Sequence, residues 1–110
     1  MKTAQAVKAL AALAQDTRLA IYRLLVQRGP GGLAAGVIAE RLGLAGATLS
    51  FHLKELTHAG MIEPRQEGRF VYYSANYAQM NALLGYLSEN CCQGESCVTV
   101  AAPKPQRKRA

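Results

Sequence analysis

At Gly60 the hydrophobic period of the chain changes, and no other feature constrains the fold as much. Upstream, Leu49, Leu53 and Leu56 repeat at helical spacing and draw a narrow apolar seam along a segment from about Gly46 to His58. Downstream, Met61-Ile62-Glu63-Pro64-Arg65 reads as a strand and Gln66-Glu67-Gly68-Arg69 as a turn whose glycine makes positive φ cheap. Phe70-Val71-Tyr72-Tyr73-Ser74 then reads as a second strand, rich in β-branched and aromatic residues.

Three helices precede this unit. The first, about Ala4 to Ala14, places Val7, Leu10, Ala11 and Ala14 on one face. The second opens at Asp16, whose carboxylate is placed to cap the first turn. It sets Leu19, Ala20 and Leu24 against Gln27 and Arg28, while Ile21 and Leu25 widen the apolar stripe. Gly29-Pro30-Gly31-Gly32 ends it, because proline cannot continue a helix. A short helix, about Ala35 to Leu42, is expected to turn Val37, Ile38 and Leu42 inward before Gly43 stops it. The last helix, about Tyr77 to Asn90, is expected to bury Met80, Leu83, Leu84 and Leu87. The expected fold is mainly α with a β-hairpin wing, in the order ααααββα. Two short helices joined by a glycine turn, with a hairpin directly behind, make a winged helix-turn-helix.

A chain of 110 residues suffices for one compact domain. The expected division is a winged-helix and dimerisation domain over residues 1–90, a cysteine-containing sensing segment over 91–102, and a basic, disordered tail over 103–110. The net charge of +6 is concentrated in that tail: without Lys104, Arg107, Lys108 and Arg109, nine basic residues face seven acidic ones. The folded part is only mildly basic, so charge alone does not establish nucleic-acid binding. No stretch approaches the roughly 20 apolar residues needed to span a bilayer, and the N-terminal run reads as an amphipathic helix rather than a signal peptide. A cytoplasmic protein that contacts no membrane is expected.

The helix bearing the Leu49 seam turns Ala47, Phe51, Lys54, Glu55 and His58 outward, with Thr48, Ser50 and His52 flanking. Hydroxyls and an imidazole can meet base edges or phosphates in a major groove, and Lys54 can neutralise a phosphate. The plain alternative is a solvated helix face; an outward Phe51 counts against it and could touch thymine methyls or pack on the wing. Arg65, Gln66 and Arg69 at the hairpin are the corresponding candidates for phosphate contact beside the groove, against the plain alternative of a polar turn.

These segments carry a family resemblance. Thr48-Leu49-Ser50-Phe51-His52-Leu53-Lys54-Glu55-Leu56, followed by Ala59-Gly60-Met61-Ile62, is similar to the recognition-helix signature of the ArsR/SmtB regulators. Glu67-Gly68-Arg69-Phe70-Val71-Tyr72-Tyr73-Ser74 resembles their wing, and Leu10 to Leu19, with its Asp16-Thr17-Arg18 turn, resembles their opening. The resemblance covers roughly residues 5 to 90. It implies a homodimer packed through the first and last helices, reading double-stranded operator DNA at an inverted repeat. Ala45, Gly46 and Ala47 depart from the pattern, since many relatives have polar residues there.

Cys91, Cys92 and Cys97 fall within seven residues. An odd, clustered set does not read as a secreted disulfide framework. Neighbours on a continuing helix point about 100° apart and cannot converge on one ion, but Asn90 and Gly94 both tolerate the left-handed conformation that would turn the chain back. Three thiolates without a nearby histidine make a soft, all-sulfur site, suited to As(III) or Sb(III). Zinc, which takes four ligands, is a poorer match. The family's zinc sites use histidines and carboxylates on the last helix, and residues 77–90 hold no histidine. The Cys-x-Cys arsenic site of well-known relatives is absent as well, because residues 33–58 hold no cysteine.

Three other uses of the thiols stay open: a disulfide or polysulfide switch through Cys92–Cys97 or Cys91–Cys97, sensing of cadmium, lead or mercury, and incidental surface cysteines. Enzymatic thiol chemistry is disfavoured, since there is no Cys-x-x-Cys, no nucleotide-binding glycine motif and no acid–base cluster, and no organic cofactor is expected. A winged helix that binds protein rather than DNA is the remaining class.

Overall fold

The computed structural model describes residues 1–94. Helices α1 (Thr3–Leu13) and α2 (Asp16–Arg28) lead to a short strand, β1 (Leu33–Ala34), then to α3 (Ala35–Leu42) and α4 (Gly46–His58). The hairpin β2 (Ile62–Glu67) and β3 (Phe70–Ala75) follows, then α5 (Tyr77–Leu87) and a 3-10 turn over Cys91–Gly94. The α and hairpin order is the one expected. The addition is β1, which pairs antiparallel with β3, so the sheet has three strands in the order β1-β3-β2. Two residues are too few to show a strand period, which is why β1 leaves no trace in the sequence pattern.

Local chemistry accounts for the helix ends. Asp16 is the first residue of α2 rather than its cap; Gln15 takes that role, its side-chain oxygen accepting the Arg18 N–H at 2.9 Å. Asp16 in the first turn and Arg28 in the last still complement the helix dipole. Asn76 caps α5 by accepting from Gln79 N–H at 3.1 Å, and its amide donates to the Gly60 carbonyl at 3.0 Å, tying the start of α5 to the end of α4. Gly32, at φ +73°, brings the chain against the carbonyl of Tyr73, where any Cβ would collide with backbone. The wing needs a tight reversal: Glu67 pairs with Phe70, and Gly68 takes φ +64° between them.

The core gathers Ile21 and Leu25 from α2, Ile38 from α3, Leu56 from α4, and Met61 and Ile62 at the entry to the wing. Each such side chain contributes about 1.5–3 kcal/mol by leaving water. The seam of α4 is buried as expected, with Leu49, Leu53 and Leu56 all inside. Four expectations are corrected. On α1 the buried face is Ala6, Ala9 and Ala12, small enough for close helix approach, while Val7, Leu10, Ala11 and Ala14 point outward. On α2, Leu19 and Ala20 are exposed and Tyr22 joins Ile21 and Leu25 inside. On α3, Val37 faces solvent, leaving Ile38 buried and Leu42 partly so. Of the apolar positions expected on α5, Leu83 is buried, Met80 and Leu84 are half-buried, and Leu87 is exposed. No helix among the described residues is long and apolar enough to cross a membrane.

Candidate nucleic-acid interface and thiol segment

α3, the three-residue turn at residues 43–45 and α4 form the helix-turn-helix, and the core fixes which side of α4 faces out. Thr48, Ser50 and Lys54 are exposed on that side, and Phe51 is 56% exposed. Gly46 and Ala47 are exposed with little side chain, which lets a ligand approach the backbone, and Ala45 provides no side-chain cap. The first N–H groups of α4 are therefore free to meet an anion.

His52 does not join this face. It is only 9% exposed, turned toward α2, with its Nδ1 3.1 Å from a terminal nitrogen of Arg18. The helical wheel placed it at the margin of the seam, and packing against α2 resolves it inward. Its ring lies in edge contact with Phe51, centroids 5.3 Å apart at 66°. Sequence reasoning gave Arg18 no site role; an arginine 34 positions from its partner leaves no local signal.

The three wing residues are unequal. The Arg65 Nε donates to Glu67 Oε2 at 2.6 Å, a terminal nitrogen donates to the Gly31 carbonyl at 3.2 Å, and the guanidinium lies 5.2 Å from the Tyr72 ring centroid. Arg65 thus fastens the wing to the loop before β1, with its charge partly offset by Glu67. The Gln66 amide folds onto the turn, donating to the Gly68 carbonyl at 3.3 Å. Arg69 stands exposed at the tip and forms no ion pair among the described residues.

The surface between α2 and α5 is apolar. A groove of about 310 Å³ runs between α2 and α5, lined by Leu19, Tyr22, Val26, Met80 and Leu84 among others. On the flanking helices, Val7 and Leu10 of α1 and Leu87 of α5 are exposed. The Tyr22 hydroxyl is buried there with no hydrogen-bond partner among the described residues, and burial, with a smaller contribution from Tyr77, raises its pKa above the usual 10. Tyr77 itself is satisfied, its hydroxyl donating to the Val26 carbonyl at 2.9 Å and, more weakly, to that of Leu25 at 3.3 Å.

At the end of α5, Ser88 Oγ donates to the Leu84 carbonyl and Asn90 takes φ +59°, so the helix stops before the cysteines. The chain then turns back, with Cys92 at φ +55°, and the Cys91 and Cys92 sulfurs stand 3.6 Å apart. Cys91 is a free thiol, whereas Cys92 is disulfide-bonded. Cys97 and the basic tail lie outside the described residues. Among the described residues no three His, Cys, Asp or Glu side chains converge as a metal site.

Comparison with known proteins places this geometry. A helix-turn-helix domain family matches residues 13–65, from the end of α1 into the wing. The chain is 32% identical over 91 residues to the transcriptional activator HlyU of Vibrio cholerae, covering 83% of this chain and 82% of HlyU. It is 34% identical over 92 residues to the arsenical resistance operon repressor of Bacillus subtilis, covering 78% and 84%. Among solved structures, an ArsR-like regulator from Rhodococcus sp. RHA1 superposes with TM-score 0.72 at 27% identity, covering 83% of each chain. A homodimeric winged helix-turn-helix DNA-binding domain from Mycobacterium bovis, a possible ArsR-family regulator, matches with TM-score 0.62 at 30% identity over 86% of this chain and 88% of its own. Fold, helix-turn-helix and relatives agree that this chain belongs to the ArsR/SmtB family of DNA-binding winged-helix transcriptional regulators, which are not enzymes.

Proposed function

We propose that the protein is a cytoplasmic homodimeric repressor that holds an inverted-repeat operator and is released when arsenite or antimonite is captured by Cys91, Cys92 and Cys97. The observation that carries the effector is the 3.6 Å separation of the Cys91 and Cys92 sulfurs, reached because the helix ends at Leu87. Two sulfurs at that spacing subtend about 100° at an ion bonded to each at about 2.3 Å, the length of a zinc–thiolate bond. The pair therefore fits one shared thiophilic ion once Cys92 is reduced, and Cys97 is the third sulfur in the chain. The arsenical resistance repressor among its relatives supports the same effector class.

DNA contact falls to Thr48, Ser50, Phe51 and Lys54 on α4, with Arg69 on phosphate at the wing tip and Gln66 beside it. Arg65 positions the wing. α1 and α5 pack across the two-fold of this dimer, and the M. bovis winged-helix domain similar to this chain is itself homodimeric. Metalloid capture reorders the end of α5, which is also dimer interface, and changes the spacing of the two reading heads. A coupling of about 1–3 kcal/mol lowers DNA affinity roughly 5- to 150-fold.

The test is fluorescence anisotropy of the reduced protein on duplex DNA from upstream of its own gene, titrated with arsenite. Release at low micromolar arsenite but not with zinc is expected, and Cys97→Ser abolishes release while keeping DNA binding. Full release by Cys97→Ser would sink the three-sulfur site.

One observation favours a second reading. Cys92 is disulfide-bonded, so a thiol switch without metalloid also fits this segment. Two thiols then give up two protons and two electrons to an oxidant such as a peroxide or an organic disulfide. DNA release by oxidant alone, reversed by dithiothreitol and insensitive to arsenite, selects it.

A further inference from the structure

Arg18, in the first turn of α2, reaches two other helices at once. Its Nε donates to the Ala12 carbonyl in the last turn of α1 at 2.6 Å, and one terminal nitrogen lies 3.1 Å from Nδ1 of His52 in the middle of α4. A guanidinium has only donors and stays charged. The contact with His52 is therefore a hydrogen bond only if Nδ1 is the acceptor, which requires a neutral ring with its proton on Nε2. Nδ1-protonated histidine would set N–H against N–H. His52 then meets Phe51, the exposed ring of the reading face, edge to ring.

Arg18 is half-buried and has no carboxylate partner; the ion pair found among the described residues joins Arg65 to Glu67. A carbonyl and an imidazole hold it instead. Neutral acceptors fix the direction of the fork but leave its charge uncompensated, which suits a strut better than a salt bridge. The path Ala12, Arg18, His52, Phe51 thus links the end of α1 to the reading face through polar atoms and one ring contact.

We propose that Arg18 and His52 are positioning residues for DNA recognition: their hydrogen bond sets the pitch of α4 and the pose of Phe51 relative to the α1–α2 corner. Selectivity then depends on two residues that do not touch DNA. The proposal rests on the operator-binding reading and adds to it a route from the α1 side to the reading helix.

Two measurements test it. Long-range 15N–1H correlation of the imidazoles in the DNA-free protein at neutral pH should show His52 protonated at Nε2 alone. A proton on Nδ1 overturns the joint. In anisotropy, the readout is the ratio of affinities for duplex from upstream of the gene and for a scrambled duplex of equal length. Arg18→Met and His52→Leu should each lower that ratio about tenfold, the low end for a charge-assisted hydrogen bond. The double variant should lose no more than either single one. His52→Asn, whose amide oxygen can stand near the Nδ1 position, should retain most of the ratio. Additive losses, or equal losses on both duplexes, overturn the proposal. If the wild type discriminates and Arg18→Met discriminates equally well, the joint alone fails. If the wild type binds both duplexes alike, the operator reading fails with it.

Discussion

The two sides of this molecule are finished to different degrees. On the reading side, several exposed groups are tied to the frame: Arg65 is fastened to Gly31 and Glu67, Gln66 to its own turn, and Phe51 leans on a histidine held by Arg18. On α1, α2 and α5, Val7, Leu10, Leu19 and Leu87 stand in water, an apolar groove opens between α2 and α5, and a buried tyrosine hydroxyl has no partner among the described residues. A DNA reader must present a fixed template to a rigid duplex, so its polar groups are oriented before the ligand arrives. An apolar face has no reason to be ordered by polar ties; it is completed by another apolar surface. The difference supports the proposed homodimer, with the cysteines at the end of α5, where a local change would be felt at that seam.

The largest effect should come from attacking the apolar side. Leu10→Glu combined with Leu87→Glu is expected to yield a monomer in analytical ultracentrifugation and to cost about 10²–10⁴-fold in affinity for a two-half-site duplex, since each head then binds alone. A variant that stays dimeric breaks the contrast between the two sides. Next is the joint between wing and helix-turn-helix. Gly32→Ala needs an unfavourable positive φ and pushes a methyl into the Tyr73 carbonyl, so a loss of about 2–3 kcal/mol in urea unfolding is expected.

A smaller effect, of opposite sign, belongs to the groove. Tyr22→Phe removes a buried hydroxyl with no partner among the described residues and should stabilise the protein by about 1 kcal/mol. The raised pKa of Tyr22 also has a pH signature. The unfolded chain loses this proton near the usual 10, the folded one only above it, so stability falls as pH rises past 10. Tyr22→Phe should flatten that alkaline fall in thermal melts; an unchanged slope would show that the hydroxyl finds a partner in solution. Smallest is Arg69→Ala at the wing tip. It should weaken binding to all duplexes alike, by a few-fold, and reduce the salt slope by about 0.9 for each phosphate that Arg69 neutralises. A sequence-dependent loss would instead make Arg69 a reader of bases.

Much of the reading head was legible in the residues alone. The Leu49, Leu53 and Leu56 seam, the end of α4 at Gly60 and the hairpin around Gly68 are short-range patterns, and they appear where the period placed them. His52 was misjudged because a helical wheel gives direction but not neighbours, and a residue at the edge of a seam goes to whichever side offers a partner. Arg65 was read as a tip cation for the same reason, since Gly31 lies 34 positions away. The family resemblance supplied the expectation of a dimer and of an operator; residue spacing supplied neither.

The sequence by itself determined the helices, the stops of α2, α3 and α4, the hairpin and the cluster of three thiols, because periodicity and turn chemistry act within a few residues along the chain; the last helix ends at Leu87 rather than the expected Asn90. Tertiary structure alone decided that Ala6, Ala9 and Ala12 rather than Val7 and Leu10 form the inner face of α1, that β1 pairs with β3, and that Arg18 braces His52. Those outcomes depend on what lies across a packed interface, and that is fixed only when all the helices are in place.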